Sequence, residues 1–281
     1  MRTLLVLSLA FPLAAPAGEI EYRGTLGNQP IHLYLDAYSD GTVRAIYAYD
    51  RHDTPIRVDG RVADGALELV EVDGKNARVA TLRLAPFDEA ASALNGEWIA
   101  SSGGKRLPVA LDALREDERA VLQAASTREH YFLLTTDAPG DSYDAQANAV
   151  QVVAKGSDRV LQAIELGTQW RGIDSVSVGD FNFDGVDDFA VFEASAAGPN
   201  TTSRYFLRDP TGRYVEADYQ GTSLEFDADA KLVHETNSCC AGTSVINATY
   251  RVVANHLELV ERTCLKWDEA EDGLVDAPCE E

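Results

Sequence analysis

Hydrophobic and polar residues alternate with a period of two along most of the chain. The clearest runs lie at residues 31–35, 45–49, 67–72, 245–253 and 257–261. A period of two places apolar side chains on one face of a strand and polar side chains on the other. The pattern therefore predicts an all-β protein built from half-buried strands.

Turn-forming dipeptides separate these runs. They are Asp40-Gly41, Asp59-Gly60, Asp64-Gly65, Asp73-Gly74 and Thr211-Gly212. Strand patterns recur roughly every dozen residues, which suits a sandwich, a barrel or a propeller. With about twenty strands and about four strands per blade, we expect a β-propeller-like fold of about five blades. The alternative is two consecutive β domains.

A single segment has a helical pattern. The apolar residues that recur there at near-helical spacing are Leu111, Leu114, Val121, Leu122 and Ala125. The alternative is a strand that ends near residue 111, followed by a polar linker. In either case, residues 111–126 are expected to connect an N-terminal β unit, 18–110, to a C-terminal β unit, 127–281.

Residues 1–17 have the pattern of a secretory signal peptide. Arg2 precedes an apolar run at positions 4–13, and Ala15-Pro16-Ala17 fits a cleavage site between small residues. The run is shorter than the roughly 20 apolar residues that a membrane helix needs. We therefore expect export to the periplasm or secretion beyond it, without a membrane span.

The chain is strongly acidic, with 24 Lys and Arg, 46 Asp and Glu, and a formal net charge of −22. Such a charge disfavours nucleic acid as a partner, because phosphate binding needs a basic face. It also disfavours an anionic membrane surface. A basic protein or a cation is the partner that this electrostatic field attracts.

Four cysteines, Cys239, Cys240, Cys264 and Cys279, lie near the C-terminal end. An even number of cysteines in an exported protein predicts two disulfides. Adjacent residues rarely reach good disulfide geometry, which disfavours a bridge between Cys239 and Cys240. We expect these two cysteines to bridge separately to the other two and to tie down the C-terminal tail.

The nonapeptide 180–188, DFNFDGVDD, has the pattern D-x-N-x-D-G-x-x-D. Calcium takes about six to eight oxygen ligands from carboxylates, amides and backbone carbonyls, whereas Mg²⁺ keeps several of its waters. The ligands that we expect for Ca²⁺ are Asp180, Asn182, Asp184, the Val186 carbonyl and Asp188. Val191 replaces the Glu that ends an EF-hand loop, and both flanks are strand-like. We therefore expect the loop to join two strands.

No catalytic motif accompanies this loop. The chain contains no G-x-S-x-G, H-E-x-x-H, P-loop or G-x-G-x-x-G motif. The five histidines are scattered, and His32 and His234 lie in strand patterns. We therefore expect a binding protein rather than an enzyme.

Several sequence blocks occur in a recognisable order. These blocks are Tyr22-Arg23-Gly24-Thr25-Leu26-Gly27 with Pro30-Ile31, Tyr47-Ala48-Tyr49-Asp50-Arg51, residues 179–189, Glu193-Ala194-Ser195 and Asn237-Ser238-Cys239-Cys240. Their order resembles a bacterial family of periplasmic immunity proteins, which protect their producers from lysozyme-like effectors of a type IV secretion system. The 180–188 loop also resembles the calcium loops of FG-GAP (VCBS-type) propeller repeats.

The resemblance implies a β-propeller-like fold with the five calcium ligands named above. It also implies that the protein plugs the active cleft of a peptidoglycan-cleaving toxin. Periplasmic lysozyme inhibitors often present a Ser-Gly-x-Tyr-like loop, and the nearest match is Thr211-Gly212-Arg213-Tyr214. Arg213 would face the catalytic acids, and Tyr214 would fill a sugar subsite. The alternative is a hairpin turn between strands at 205–207 and 214–217.

The leading hypothesis is therefore a calcium-stabilised periplasmic inhibitor, or immunity protein, of a basic lysozyme-like hydrolase. Such hydrolases are often basic because their polymer substrate is anionic, so a strongly acidic inhibitor would be steered toward them. The alternatives are a calcium-dependent adhesion or glycan-binding module, and a hydrolase whose active site the sequence does not reveal.

Overall fold

The computed structural model describes residues 18–88, 92–114, 119–136, 145–196 and 198–279. These residues form 21 β-strands and two short 3-10 turns, so the all-β prediction is confirmed. Nowhere in these ranges does a helix reach the length and apolar character needed to cross a membrane. The predicted signal peptide, 1–17, lies outside the described residues.

The first eight strands close into an antiparallel barrel, in which each strand pairs with the next and β1 also pairs with β8. Their bounds are β1 Gly18–Leu26, β2 Gln29–Ala37, β3 Thr42–Tyr49, β4 Ile56–Ala63, β5 Ala66–Val72, β6 Arg78–Leu84, β7 Ala93–Ala100 and β8 Arg106–Leu114.

Strands β2 and β3 are buried on both faces, which explains their apolar sequences. Leu33 and Leu35 pack in the barrel core. Tyr34 and Ile46 point to the opposite face and pack against the second sheet. Because the side chains of a strand alternate between its faces, one strand serves two cores.

The barrel also depends on close approach between strands. A Cβ atom on Gly60 in β4 would lie 1.8 Å from the carbonyl oxygen of Glu68 in β5. Asp59-Gly60 was predicted as a turn, but both residues lie within β4. The glycine is needed here for the contact between backbones and not for a change of chain direction.

Three antiparallel sheets follow the barrel, each with its strands in chain order. The second sheet contains β9 Arg119–Ser126, β10 His130–Thr136, β11 Gln146–Ala154 and β12 Arg159–Gln169. The third contains β13 Val176–Gly179, β14 Asp188–Ser195, β15 Thr201–Arg208 and β16 Tyr214–Glu216. The fourth contains β17 Glu225–Asp227, β18 Leu232–Cys239, β19 Ser244–Val253, β20 His256–Asp268 and β21 Gly273–Ala277.

These units pack in chain order through three separate cores. The outer face of the barrel meets the second sheet at Val121 and Tyr131. Phe132 and Phe189 join the second sheet to the third, with ring centroids 4.7 Å apart. Tyr205 and Phe226 join the third sheet to the fourth, at 5.2 Å.

A five-bladed propeller is not what these strands form, because eight of them close into a barrel. The helical interpretation of residues 111–125 is also wrong, since the described residues of this segment belong to β8 and β9. A period of two in the sequence predicts where strands occur, but it does not determine whether those strands close into a barrel or form the blades of a propeller.

Candidate functional site

The 180–188 loop joins β13 to β14, as predicted, and Gly179 pairs with Asp188 where the two strands begin to separate. Phe183 and Gly185 have φ angles of +62° and +88°. This left-handed backbone is sterically unfavourable for residues with a Cβ atom but not for glycine, so Gly185 suits the turn. The chain thereby reverses direction within nine residues.

The polar side chains of the loop turn inward onto its own backbone. Asp180 accepts hydrogen bonds from the N–H groups of Asp184 and Gly185, at 2.9 and 2.8 Å. Asp184 accepts one from Val186 N–H at 2.8 Å, and the Asn182 side-chain oxygen accepts one from Asp184 N–H at 3.2 Å. These bonds hold the alternate positions of the motif on one side of the loop.

Asp188 connects the loop to the rest of the third sheet. Its side chain is buried and accepts hydrogen bonds from Phe181 N–H at 3.0 Å and Arg208 N–H at 2.8 Å. Burial, together with the negative charges of Asp184 and Asp180, raises the pKa of Asp188 to about 6, although the two N–H donors act in the opposite direction. The negative charges of Asp180 and Asp184 therefore act on the buried carboxylate of Asp188.

Contacts from the fourth sheet fix the outer side of the loop. The rings of Phe181 and Phe226 lie 4.8 Å apart, centroid to centroid. Asn182 Nδ2 donates to Asn255 Oδ1 at 3.3 Å, and Lys231 Nζ donates to the Phe183 carbonyl at 3.4 Å. The loop thus lies at the junction of the third and fourth sheets.

The donors of the loop are of the type that a hard cation selects: carboxylates, an amide oxygen and backbone carbonyls. In the part of the chain that the structure describes, no group of three or more His, Cys, Asp or Glu side chains is arranged to hold a metal ion. Asp180, Asp184 and Asp188 instead direct oxygens toward backbone N–H groups. The residue types fit calcium, but the carboxylates do not converge on one point.

The predicted inhibitory loop, Thr211-Gly212-Arg213-Tyr214, forms the hairpin turn that was its alternative interpretation. Asp209 Oδ1 accepts hydrogen bonds from the N–H groups of Thr211 and Arg213, at 2.8 and 3.0 Å. Thr211 and Arg213 are exposed. The turn therefore presents two of the four predicted residues to solvent.

Tyr214 does not lie at the surface, where a residue that enters a partner's sugar subsite must lie. Its side chain is only 3% exposed and packs against Phe189, with ring centroids 4.9 Å apart. The Tyr214 hydroxyl and His130 Nδ1 form a hydrogen bond of 3.1 Å. The prediction that Tyr214 enters a sugar subsite is corrected, because the ring belongs to the core between the second and third sheets.

The predicted pairing of the cysteines is also corrected. Cys264 and Cys279 form a disulfide, whereas Cys239 and Cys240 carry free, exposed thiols. Cys264 lies opposite Ala277 in the β20–β21 ladder, so the chain brings Cys279 back to it two residues later. This bridge does fasten the C-terminal tail, and the other two cysteines do not contribute to it.

An acidic hairpin that no sequence motif indicated joins β20 to β21. We use this name for residues 268–272, DEAED, which include four carboxylates. Trp267 and Leu274 are paired directly beside the hairpin and are 46% and 40% exposed. The sequence signal that could have indicated this surface is Trp267 followed directly by the acidic run 268–272.

The fourth sheet is also the most acidic part of the molecule. Residues 225–281 contain 4 Lys and Arg against 13 Asp and Glu, whereas residues 18–114 contain 10 against 15. Leu265 lies on the same face as Trp267, two residues earlier along β20, and its strand partner Val245 shares that face. This face, on which Leu265 and Val245 are half-buried and Trp267 is exposed, therefore combines a small apolar cluster with a strongly negative rim.

Sequence comparison adds no relative to these observations. No protein-family model matches the chain, and no curated protein matches it. The function must therefore be inferred from the molecule itself, chiefly from the 180–188 loop, the acidic hairpin and the cysteines.

Proposed function

We propose that the protein is a periplasmic, calcium-binding inhibitor, or immunity protein, that blocks a lysozyme-like peptidoglycan hydrolase. The observation that carries the proposal is the acidic hairpin beside the exposed Trp267 and Leu274. The family that the sequence blocks resemble supports the same function. The Cys264–Cys279 disulfide fits the oxidising compartment that this function requires.

The hairpin surface has the two properties that a basic partner needs. Its carboxylates steer a positively charged enzyme into encounter. The indole of Trp267 then supplies an apolar anchor, and aromatic anchors carry much of the binding energy at interfaces. In this proposal the acidic hairpin is the principal contact with the hydrolase. The alternative contact is the predicted inhibitory loop, through its exposed residues Thr211 and Arg213.

Calcium has a structural role in the proposal. The ion would be held by Asp180, Asn182, Asp184, the Val186 carbonyl and Asp188, with the carboxylate oxygens turned from the backbone N–H groups toward it. Its charge would offset the repulsion among the three carboxylates, which is strong where one of them is buried. Because the loop contacts Phe226 and Asn255, a bound ion would stiffen the junction between the third and fourth sheets.

The test is a titration of the purified protein against a panel of basic and neutral peptidoglycan hydrolases on cell-wall substrate, with calcium and with chelator. We expect stoichiometric inhibition of a lysozyme-like enzyme. Trp267→Ala should weaken the complex about thirtyfold, the effect of a typical interface hot spot. Val72→Ala, which truncates a similarly exposed side chain on the barrel, is the matched control and should leave inhibition unchanged.

Further variants separate the two candidate surfaces. Glu271→Gln in the acidic hairpin should weaken inhibition, whereas Asp112→Asn on β8 should not. Loss of inhibition in Arg213→Ala, with Trp267→Ala unaffected, would instead favour the 211–214 turn. No inhibition of any hydrolase, together with calcium-dependent binding to a glycan panel, would reject the proposal and support an adhesion or glycan-binding module.

A further inference from the structure

The two free thiols of the chain lie side by side in an exposed turn. Cys239 ends β18, and Cys240 begins the 3-10 turn Cys240–Gly242. Both side chains are exposed, and the other two cysteines already form a disulfide with each other. Within one molecule, each free thiol therefore has only its neighbour as a sulfur partner.

The backbone at this turn departs from the strand geometry that would hold the two side chains on opposite faces. Successive residues of an extended strand point to opposite faces. Cys240 leaves that geometry, because its φ angle is +58° and that of Ala241 is +56°. Interaction with the neighbouring Cys239 thiol raises the pKa of the Cys240 thiol. The chain thus places two free thiols on consecutive residues at the surface.

Hydrogen bonds hold both flanks of the turn while the thiols remain open to solvent. Before the turn, Ser238 N–H donates to Asn200 Oδ1 at 3.0 Å, and Asn200 Nδ2 donates to the Ser238 carbonyl at 2.7 Å. After the turn, Thr243 Oγ1 donates to the Cys240 carbonyl at 2.7 Å. These contacts keep the thiols adjacent and accessible.

We propose that Cys239 and Cys240 form a redox site, a dithiol that closes reversibly to a disulfide between adjacent residues by exchange with a small external disulfide. The thiolate of Cys239 attacks one sulfur of the external disulfide, and the first external thiolate leaves. Cys240 then loses its proton to solvent and attacks the Cys239 sulfur, which releases the second external thiolate. The protein dithiol loses two electrons, and the external disulfide gains them.

This disulfide is expected to be easier to reduce than the Cys264–Cys279 bridge. Adjacent Cα atoms are about 3.8 Å apart across a trans peptide, whereas disulfides usually join Cα atoms roughly 4.4–6.8 Å apart. The resulting strain makes the bond more reducible, which is characteristic of regulatory rather than structural disulfides. The proposal rests on the cysteine geometry alone and does not depend on the proposed function.

The test counts thiols in the purified protein by alkylation and intact mass before and after treatment with oxidised glutathione. We expect two alkylated thiols before treatment and none afterwards, with loss of two hydrogens, no retained glutathione, and peptide mapping to Cys239 and Cys240. A mild reductant should restore both thiols and leave Cys264–Cys279 intact. Protein isolated with Cys239–Cys240 already oxidised would support the proposal equally.

Single variants test the second step of the exchange. Cys239→Ser and Cys240→Ser should each retain one glutathione, because the mixed disulfide has no neighbouring thiol to resolve it. Four outcomes would overturn the proposal: two thiols that are still alkylated after oxidation, retained glutathione on the parent protein, a covalent dimer, or a bridge from either cysteine to Cys264 or Cys279. Matching thermal unfolding of parent and variants would confirm that the chemistry is compared in the same fold.

Discussion

At the scale of single residues, the barrel depends on a position without a side chain. Gly60 lies within β4, where its Cα faces the backbone of β5. A Cβ atom at this position would lie 1.8 Å from Glu68 O and 2.9 Å from Leu69 Cα, both of which are backbone atoms. Backbone atoms cannot turn aside as the end of a side chain can, so the two strands would have to separate.

Gly60→Ala is therefore expected to lower the free energy of unfolding by about 3 kcal/mol, as severe overpacking does. Urea denaturation would measure the change. Gly74→Ala is the matched control, because a Cβ atom at Gly74 meets nothing within 4 Å. Equal effects of the two substitutions would contradict this explanation of Gly60.

A buried histidine, His130, makes the stability of the protein depend on pH. Burial lowers the pKa of His130, and the nearby Arg208 and Lys155 act in the same direction while Glu129 opposes them. The unfolded chain therefore binds the His130 proton at a higher pH than the folded protein does. Because the unfolded state gains this proton first, the free energy of unfolding falls as the pH drops through about 6.5.

Urea denaturation at about pH 7.5 and about pH 5.5 would test this effect, since the two values bracket the ordinary histidine pKa. Because Asp188, with its pKa raised to about 6, takes up its proton in the folded state over the same range and opposes the histidine effect in both proteins, the test is the difference between them. We expect the acid pH to favour His130→Gln relative to the parent protein. Burial also lowers the pKa of His32, so part of the pH dependence should remain in the variant. An identical pH dependence in parent and variant would exclude His130 as a source.

At the scale of elements, the 180–188 loop links two sheets through one short segment. Asp188 is bonded to the backbone of β15 through Arg208, while Phe181 packs on Phe226 of β17. The Tyr219 hydroxyl also donates to the Phe181 carbonyl at 3.2 Å. A change in the conformation of the loop is therefore transmitted to both the third and the fourth sheet.

Asp184→Ala should lower the melting temperature and abolish its dependence on calcium. The substitution removes both a proposed ligand and the acceptor for Val186 N–H. For the parent protein, calcium at a hundredfold excess over Kd should add about 2.7 kcal/mol of stability. Asp187→Ala, which removes the same charge from a variable position of the motif that is not a proposed ligand, should keep the calcium response. Identical melting of the parent protein in calcium and in chelator would contradict calcium binding.

At the scale of the whole molecule, charged and polar contacts reinforce the seam between the barrel and the second sheet. Arg57 in β4 forms a two-pronged ion pair, at 2.6 and 2.8 Å, with Asp174 of the 3-10 turn Gly172–Asp174 that follows the last strand of the second sheet. Asp53 accepts a hydrogen bond from Gly156 N–H at 2.7 Å, and its side chain is buried. The barrel is thereby held to the first of the three sheets, while the acidic hairpin lies on the last.

The acidic hairpin leads to an electrostatic prediction, which rests on the proposed function. Raising the ionic strength from about 0.05 to about 0.5 M should slow association with a basic hydrolase at least tenfold, because salt screens exposed charges. The dissociation rate should change much less. Stopped-flow or surface-binding kinetics would measure both rates, with Glu271→Gln expected to reduce the salt dependence. An association rate that is insensitive to salt would reject electrostatic steering.

Much of the local structure could be predicted from the sequence because it depends on near neighbours. The alternating runs at 31–35 and 257–261 lie in β2 and β20, and the 180–188 loop joins two strands. The period of two and the left-handed glycine of a tight loop are properties of a few consecutive residues. The net charge of −22 is likewise set by composition.

Tertiary structure alone decided the features that depend on distant residues. The pairing of β1 with β8 closes the barrel, and no local pattern specifies it. Tyr214 is buried because Phe189 arrives from another strand, and Cys264 meets Cys279 because β21 returns along β20. Periodicity shows that a residue faces a core, but only long-range strand pairing determines which core it enters and which residues it meets there.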